Sequence, residues 1–144
     1  MCLSYLKKLL TPDKPPIPQP ETVYEMEGDA LLHELRLLWG FPYWYPMQRL
    51  YRVPTFESFQ KMLDYILVSC DMRWGTCADK AWALLGEFSK GRWSSTARGL
   101  VIFGQPTNHA AVWIRDSSEN YWIIDTLDYK IKAKPGDWPV ALLL

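Results

Sequence analysis

Cys77, His109 and Asp125 are the three residues of this chain best suited to do chemistry together. Cys77 follows Gly75-Thr76 at the predicted start of a helix. His109 opens the apolar run Ala110-Ala111-Val112-Trp113-Ile114, and Asp125 closes a second run, Tyr121-Trp122-Ile123-Ile124. A thiol on a helix N-terminus, facing an imidazole and a carboxylate on two paired strands, is the layout of an activated sulfur nucleophile. A free thiol titrates near ~8.5 and is mostly protonated at neutral pH. The N–H groups of a helix N-terminus favour the thiolate, and a neighbouring imidazolium favours it more strongly. The chain has only two histidines, so the choice of base is nearly forced.

The elements that must position these residues are legible in part. Thr76 and Asp79 form the T-x-x-D pattern of a capping box. Ala81, Leu84, Leu85 and Phe88 follow Cys77 at helical intervals, which predicts a helix from Cys77 to about Ser89, ended by Gly91. Gly99 to Gly104 is a continuous apolar run and predicts a central buried strand. His109–Arg115 and Tyr121–Thr126 predict two more strands, joined by the polar turn Asp116-Ser117-Ser118-Glu119-Asn120. A tight turn centred on Ser117 sets residues 109 and 125 opposite each other. A total slip of two residues keeps both side chains on one face; a slip of one turns Asp125 away. Tyr129–Lys132 predicts an edge strand with its charges facing out.

Two earlier helices are predicted. One covers Asp29–Trp39, with Asp29 as cap and Gly40 and Pro42 as stop. The other covers Phe56–Cys70, with Thr55 as cap and a stripe of Phe56, Phe59, Leu63, Ile66, Leu67 and Cys70. Cys70 on that stripe reads as an inert core thiol. Between the helices, Phe41–Pro46 is aromatic and punctuated by proline, so it reads as a loop packed on the core or lining a groove. Helices followed by an antiparallel sheet make the fold class α+β.

Bulk properties narrow the function classes. At 144 residues the chain suits one domain, read here as residues 22–144. Residues 1–21 read as an arm, with five prolines between Pro12 and Pro20 that favour an extended linker. Net charge is zero, with sixteen basic and sixteen acidic residues and no basic run, which argues against nucleic acid. Three cysteines, an odd and small number, fit a reducing compartment better than a disulfide scaffold. No run approaches the ~20 apolar residues of a spanning helix, and the N-terminus lacks the pattern of a signal peptide. The expected location is the cytoplasm, with a phage-derived or virion-associated origin as the alternative.

A zinc site is the rival use of the same side chains. His33, Cys70, Cys77 and His109 supply the ligand types, but their spacing shows no paired ligand motif. No metal and no cofactor is implied.

The segment Gly75-Thr76-Cys77-Ala78-Asp79-Lys80-Ala81-Trp82-Ala83-Leu84 resembles the nucleophile helix of the transglutaminase-like superfamily. It is most similar to the bacterial transglutaminase-like cysteine proteinase branch, where Gly-x-Cys-x-Asp-x-Ala recurs. Asn108-His109-Ala110-Ala111-Val112 resembles that family's histidine strand, and Tyr121–Leu127 its aspartate strand. Together these segments span roughly residues 70–132. Ala78 and Thr126 depart from the family pattern, which commonly has Glu or Trp and Asn there. The resemblance implies a papain-like core with Cys77 as nucleophile, His109 as base and Asp125 as orienter. It implies amide chemistry through a thioester on a protein or peptide substrate. The expected function is a cysteine peptidase or deamidase. The alternatives are a non-catalytic binding module on the same fold and a peptidoglycan endopeptidase or amidase. The Asp-Cys-Ser-Gly signature common in one class of the latter is absent.

Overall fold

The apolar run after Arg98 forms the centre of the molecule. The computed structural model describes residues 15–40, 48–103, 109–133 and 139–143. Within them the order is β1 (Thr22–Glu27), α1 (Gly28–Trp39), β2 (Leu50–Pro54), α2 (Phe56–Ser69) and α3 (Cys77–Glu87). A single 3-10 turn at Gly91–Trp93 follows, then β3 (Arg98–Phe103), β4 (His109–Arg115), β5 (Tyr121–Asp125), β6 (Lys130–Ala133) and β7 (Pro139–Leu143). The first part of the expected arm, residues 1–14, and the Phe41–Pro46 loop, Gly104 and Asn108 lie outside the described residues.

Strands β3 to β7 make one antiparallel sheet in the order β6-β5-β4-β3-β7. Strands β3, β4 and β5 divide their side chains between two cores. Val101, Phe103, Ala111, Trp113 and Ile123 join Leu31, Leu32 and Leu35 of α1 and Met26, Tyr51 and Val53 of β1 and β2. Leu100, Ala110, Val112, Ile114 and Ile124 join Phe59, Met62, Leu63 and Ile66 of α2 and Ala81, Leu84 and Phe88 of α3. The sheet is thus covered on both faces. That explains why β3 and β4 read as continuous apolar runs although their pairing is antiparallel.

This arrangement is α+β, as expected, and it adds two features the sequence reading did not specify. The helices do not share one face: α1 covers one side, α2 and α3 the other. And α1 is bracketed by a two-stranded antiparallel ribbon, β1 with β2, that periodicity did not reveal. Tyr24 and Met26 alternate with exposed Thr22, Val23, Glu25 and Glu27, too few apolar positions to stand out.

Local signals fared unevenly. Thr55 caps α2 by accepting from the Ser58 N–H, as expected. The buried centre of that helix is Phe59, Met62, Leu63 and Ile66, while Leu67 faces outward. The cap of α1 is Glu27 rather than Asp29, and no side chain closes that end. Gly91 does not stop α3; Phe88 ends it, and Gly91 opens the following turn with φ +55°. Part of the proline-rich segment is tied to the domain: Trp93, fully buried, donates its indole N–H to the Pro18 carbonyl at 2.7 Å. Among the described residues no helix is long and apolar enough to cross a membrane.

Candidate active site

The hairpin turn decides where Asp125 points, and Asp116 builds that turn. Its carboxylate, 98 % shielded at the residue level, accepts the Ser118 and Asn120 N–H groups at 2.9 and 3.0 Å and the Trp122 indole at 2.7 Å. Glu119 takes the left-handed conformation, φ +67°, that closes the loop. The resulting register pairs Arg115 with Tyr121, Trp113 with Ile123 and Ala111 with Asp125. The turn therefore centres on Ser118 rather than Ser117, a total slip of two residues. Because the slip is even, His109 and Asp125 stay on one face of the sheet.

The pair is formed. His109 Nε2 and Asp125 Oδ1 are 2.9 Å apart, with side chains 16 % and 18 % exposed. With Nε2 so engaged, Nδ1 is the nitrogen left for proton transfer. Asp125 Oδ1 also accepts the Leu127 N–H at 2.9 Å, and Oδ2 accepts the Lys132 ammonium at 2.8 Å. Burial pushes the Asp125 carboxyl up, but Lys132, the Leu127 N–H and His109 outweigh it and hold the group below the ordinary aspartate range. Next to it, the buried Thr126 hydroxyl donates to the Ala110 carbonyl at 2.8 Å and pins the end of β5 to β4. Lys132 is the member of this cluster that the sequence did not reveal. An edge strand with alternating lysines was expected to turn its charges to water, yet Lys132 bridges Asp125 and Asp128, the latter at 2.9 Å.

Cys77 is the first residue of α3, as its spacing predicted. The capping box is complete: Thr76 Oγ1 accepts the Asp79 N–H at 3.3 Å, and Asp79 Oδ2 accepts the Thr76 N–H at 2.8 Å. Gly75 makes this start attainable. It has φ +99°, and a Cβ there would lie 2.7 Å from the Asp79 Cβ. The thiol is half-buried and packs against the core between α3 and the sheet. Neither Cys70 nor Cys77 is part of a disulfide. Cys70 is not deep in the core as expected; it caps the C-terminus of α2 and is half-buried. His33 is exposed on α1.

The placement of the three residues is thus uneven. His109 and Asp125 lie in contact on the α1 side of the sheet. Helix α3 lies on the other side, meeting β4 through Ala110, Val112 and Ile114. A thiol and imidazole so mounted meet only around the open end of β4, where His109 is the first residue.

Two loops flank this end. Asp71 organises the one before Cys77, accepting the Arg73 guanidinium at 2.9 Å, the Arg73 N–H and the Trp74 indole. Those donors, Arg73 first, hold the Asp71 carboxyl down at about 2. Trp74 and, on the loop after Asp125, Leu127 are left exposed. Tyr129 ties the loops together, its hydroxyl donating to the Met72 carbonyl at 2.5 Å. A groove of about 450 Å³ lies against the end of α2 and the loop after it, lined by Leu67, Val68, Cys70, Met72 and Arg73 and by Tyr129; Cys77, His109 and Asp125 are not among its lining residues.

No family model, curated protein or solved structure matches this chain.

Proposed function

We propose that this protein is a thiol-dependent amide hydrolase, a cysteine peptidase or deamidase, built on a papain-like or transglutaminase-like core. The observation that carries the reading is the His109–Asp125 contact at 2.9 Å, formed at the end of two adjacent strands. Asp125 holds the imidazole through Nε2 and stabilises its cationic form. His109 then takes the Cys77 proton through Nδ1, and the thiolate attacks an amide carbonyl. Collapse of the tetrahedral intermediate breaks the C–N bond, and the amine leaves with the proton from His109. Water, deprotonated by the same imidazole, hydrolyses the thioester and returns the thiol. The Cys77 N–H, outside the helix's own hydrogen-bond ladder, is the candidate oxyanion donor. The exposed Trp74 and Leu127, on the loops beside Cys77 and Asp125, suit a protein or peptide substrate.

A non-catalytic binding module is the second reading. Two observations favour it: α3 and the imidazole lie on opposite faces of the sheet, and the Asp79 carboxylate already occupies the helix end that would stabilise a thiolate. The pH dependence of iodoacetamide labelling at each cysteine, read by mass spectrometry, decides between them. A hydrolase shows fast labelling of Cys77 with a midpoint well below ~8.5, lost in His109→Ala. A Cys77 that labels like an ordinary thiol, or more slowly than Cys70, ends the catalytic reading.

A further inference from the structure

We infer that Lys132 is a positioning residue that sets the charge of the His109–Asp125 pair. The inference takes its catalytic meaning from the reading of His109 as a base, but the electrostatic relationship stands on its own contacts. Asp125 divides its two oxygens: Oδ1 serves His109 and the Leu127 N–H, and Oδ2 serves Lys132. The ammonium both fixes the carboxylate's rotation and cancels part of its field at the imidazole.

The fold makes this arrangement specific. Lys132 stands across from Ile123 in the β5–β6 register, so its side chain rises on the face that carries Asp125. Ile131 between them packs into the opposite core and fixes that phase. Asp128, in the turn, holds the ammonium from its other side at 2.9 Å. Lys130 lies directly across from Asp125 but is exposed; among the described residues the ion pairs of Asp125 are with His109 and Lys132. On the β3 side the neighbour of His109 is Phe103, which carries no charge. The α1 side contributes mainly apolar residues to the underlying core. Its nearest described ion pair, Glu34 with Arg115, sits at the far end of β4. Among the described residues, the charged groups beside the pair are thus Lys132, Asp128 and the exposed Lys130, while Cys77 lies at the start of α3 on the other face of the sheet.

Removing the ammonium leaves Asp125 and Asp128 both anionic beside the imidazole. The cationic form of His109 then gains stability. The effect is modest because Lys132 is 44 % exposed and water screens it.

The test is an NMR titration of the two imidazoles in the full chain. His33, exposed on α1, reports whether each variant keeps its fold. In Lys132→Met the His109 midpoint rises by about half a pH unit while His33 stays fixed. Lys132→Gln gives the same rise and guards against a packing effect of the methionine. Lys132→Arg restores the original midpoint. An unchanged or lowered His109 midpoint in both neutral variants overturns the inference. Cysteine labelling on the same samples keeps the two proposals apart. If Cys77 labels as an ordinary thiol in the unsubstituted protein, the hydrolase reading fails, yet the His109 shift still decides the role of Lys132.

Discussion

Asp125 stands opposite Ala111 in the β4–β5 register, not opposite His109, and still reaches His109 Nε2 at 2.9 Å. The carboxylate leans along the sheet by two residues to make the contact. Its other partners, Lys132 and the Leu127 N–H, hold it in that lean. The pair is consequently sensitive to anything that shifts the hairpin or removes one of those partners.

Asp125→Asn tests the pair directly. The amide keeps the size but loses the charge that three donors recognise. Stability is expected to fall by about 1–2 kcal/mol, the scale of charge-assisted hydrogen bonds at a partly buried site. Urea denaturation measures this. If His109 is the base for Cys77, labelling of Cys77 at neutral pH slows as well, whereas Cys70 is unaffected.

Acid stability follows from the same carboxylates. The groups at Asp125 and Glu34 are held below their ordinary values: burial raises both, while Lys132, the Leu127 N–H and His109 outweigh it for the first, and Arg115 and Tyr121 for the second. A depressed folded-state value stabilises the fold above the unfolded-state value, roughly 3.9 for Asp and 4.3 for Glu. That stability is lost as pH falls through the folded values. The urea midpoint should hold steady down to about pH 5 and then drop. Asp125→Asn should flatten the drop; an equally steep profile would show that Asp125 is not one of the groups responsible.

Asp116→Ala should loosen the register that the pair depends on. It strands two backbone N–H groups and the Trp122 indole, all satisfied by one shielded carboxylate. The expected cost is about 2–4 kcal/mol, summing partly unsatisfied donors. Hydrogen exchange across β4 and β5 should rise together with it. Loss confined to the turn would mean that the sheet sets the register without Asp116.

Gly75→Ala should disturb the start of α3 more than a surface change would. The residue sits at φ +99°, and the new methyl would crowd the Asp79 Cβ at 2.7 Å. About 1–3 kcal/mol is expected from backbone strain and the displaced cap. Thr76→Ala, which removes the cap without the strain, should cost about 1 kcal/mol. A Gly75→Ala change no larger than that would place the strain elsewhere.

Local chemistry was written plainly in the chain. The Thr76–Asp79 box, the Thr55 cap, the apolar spacing of α3 and the two strands that carry His109 and Asp125 all depend on neighbours within a few residues. Propensity and periodicity act over that same range. The shared face of His109 and Asp125 was legible only conditionally, since an even slip keeps the two together and an odd one parts them; the observed register, Ala111 opposite Asp125, settles it. The ribbon of β1 and β2 was not. Its partners lie on either side of α1, and neither half carries enough buried positions to show a pattern alone. Lys132 escaped for a similar reason: its partner is on another strand, and sequence gives a lysine no direction.

The amino-acid order by itself determined which residue types stand at the start of α3 and β4 and at the end of β5. Only the tertiary structure decided which helix covers which face. The alternating pleat makes both faces of the sheet equally apolar, so α1 and the pair α2 and α3 are interchangeable to any local pattern. Chain connectivity and long-range packing break that tie, and they set the imidazole and the thiol on opposite sides of one sheet.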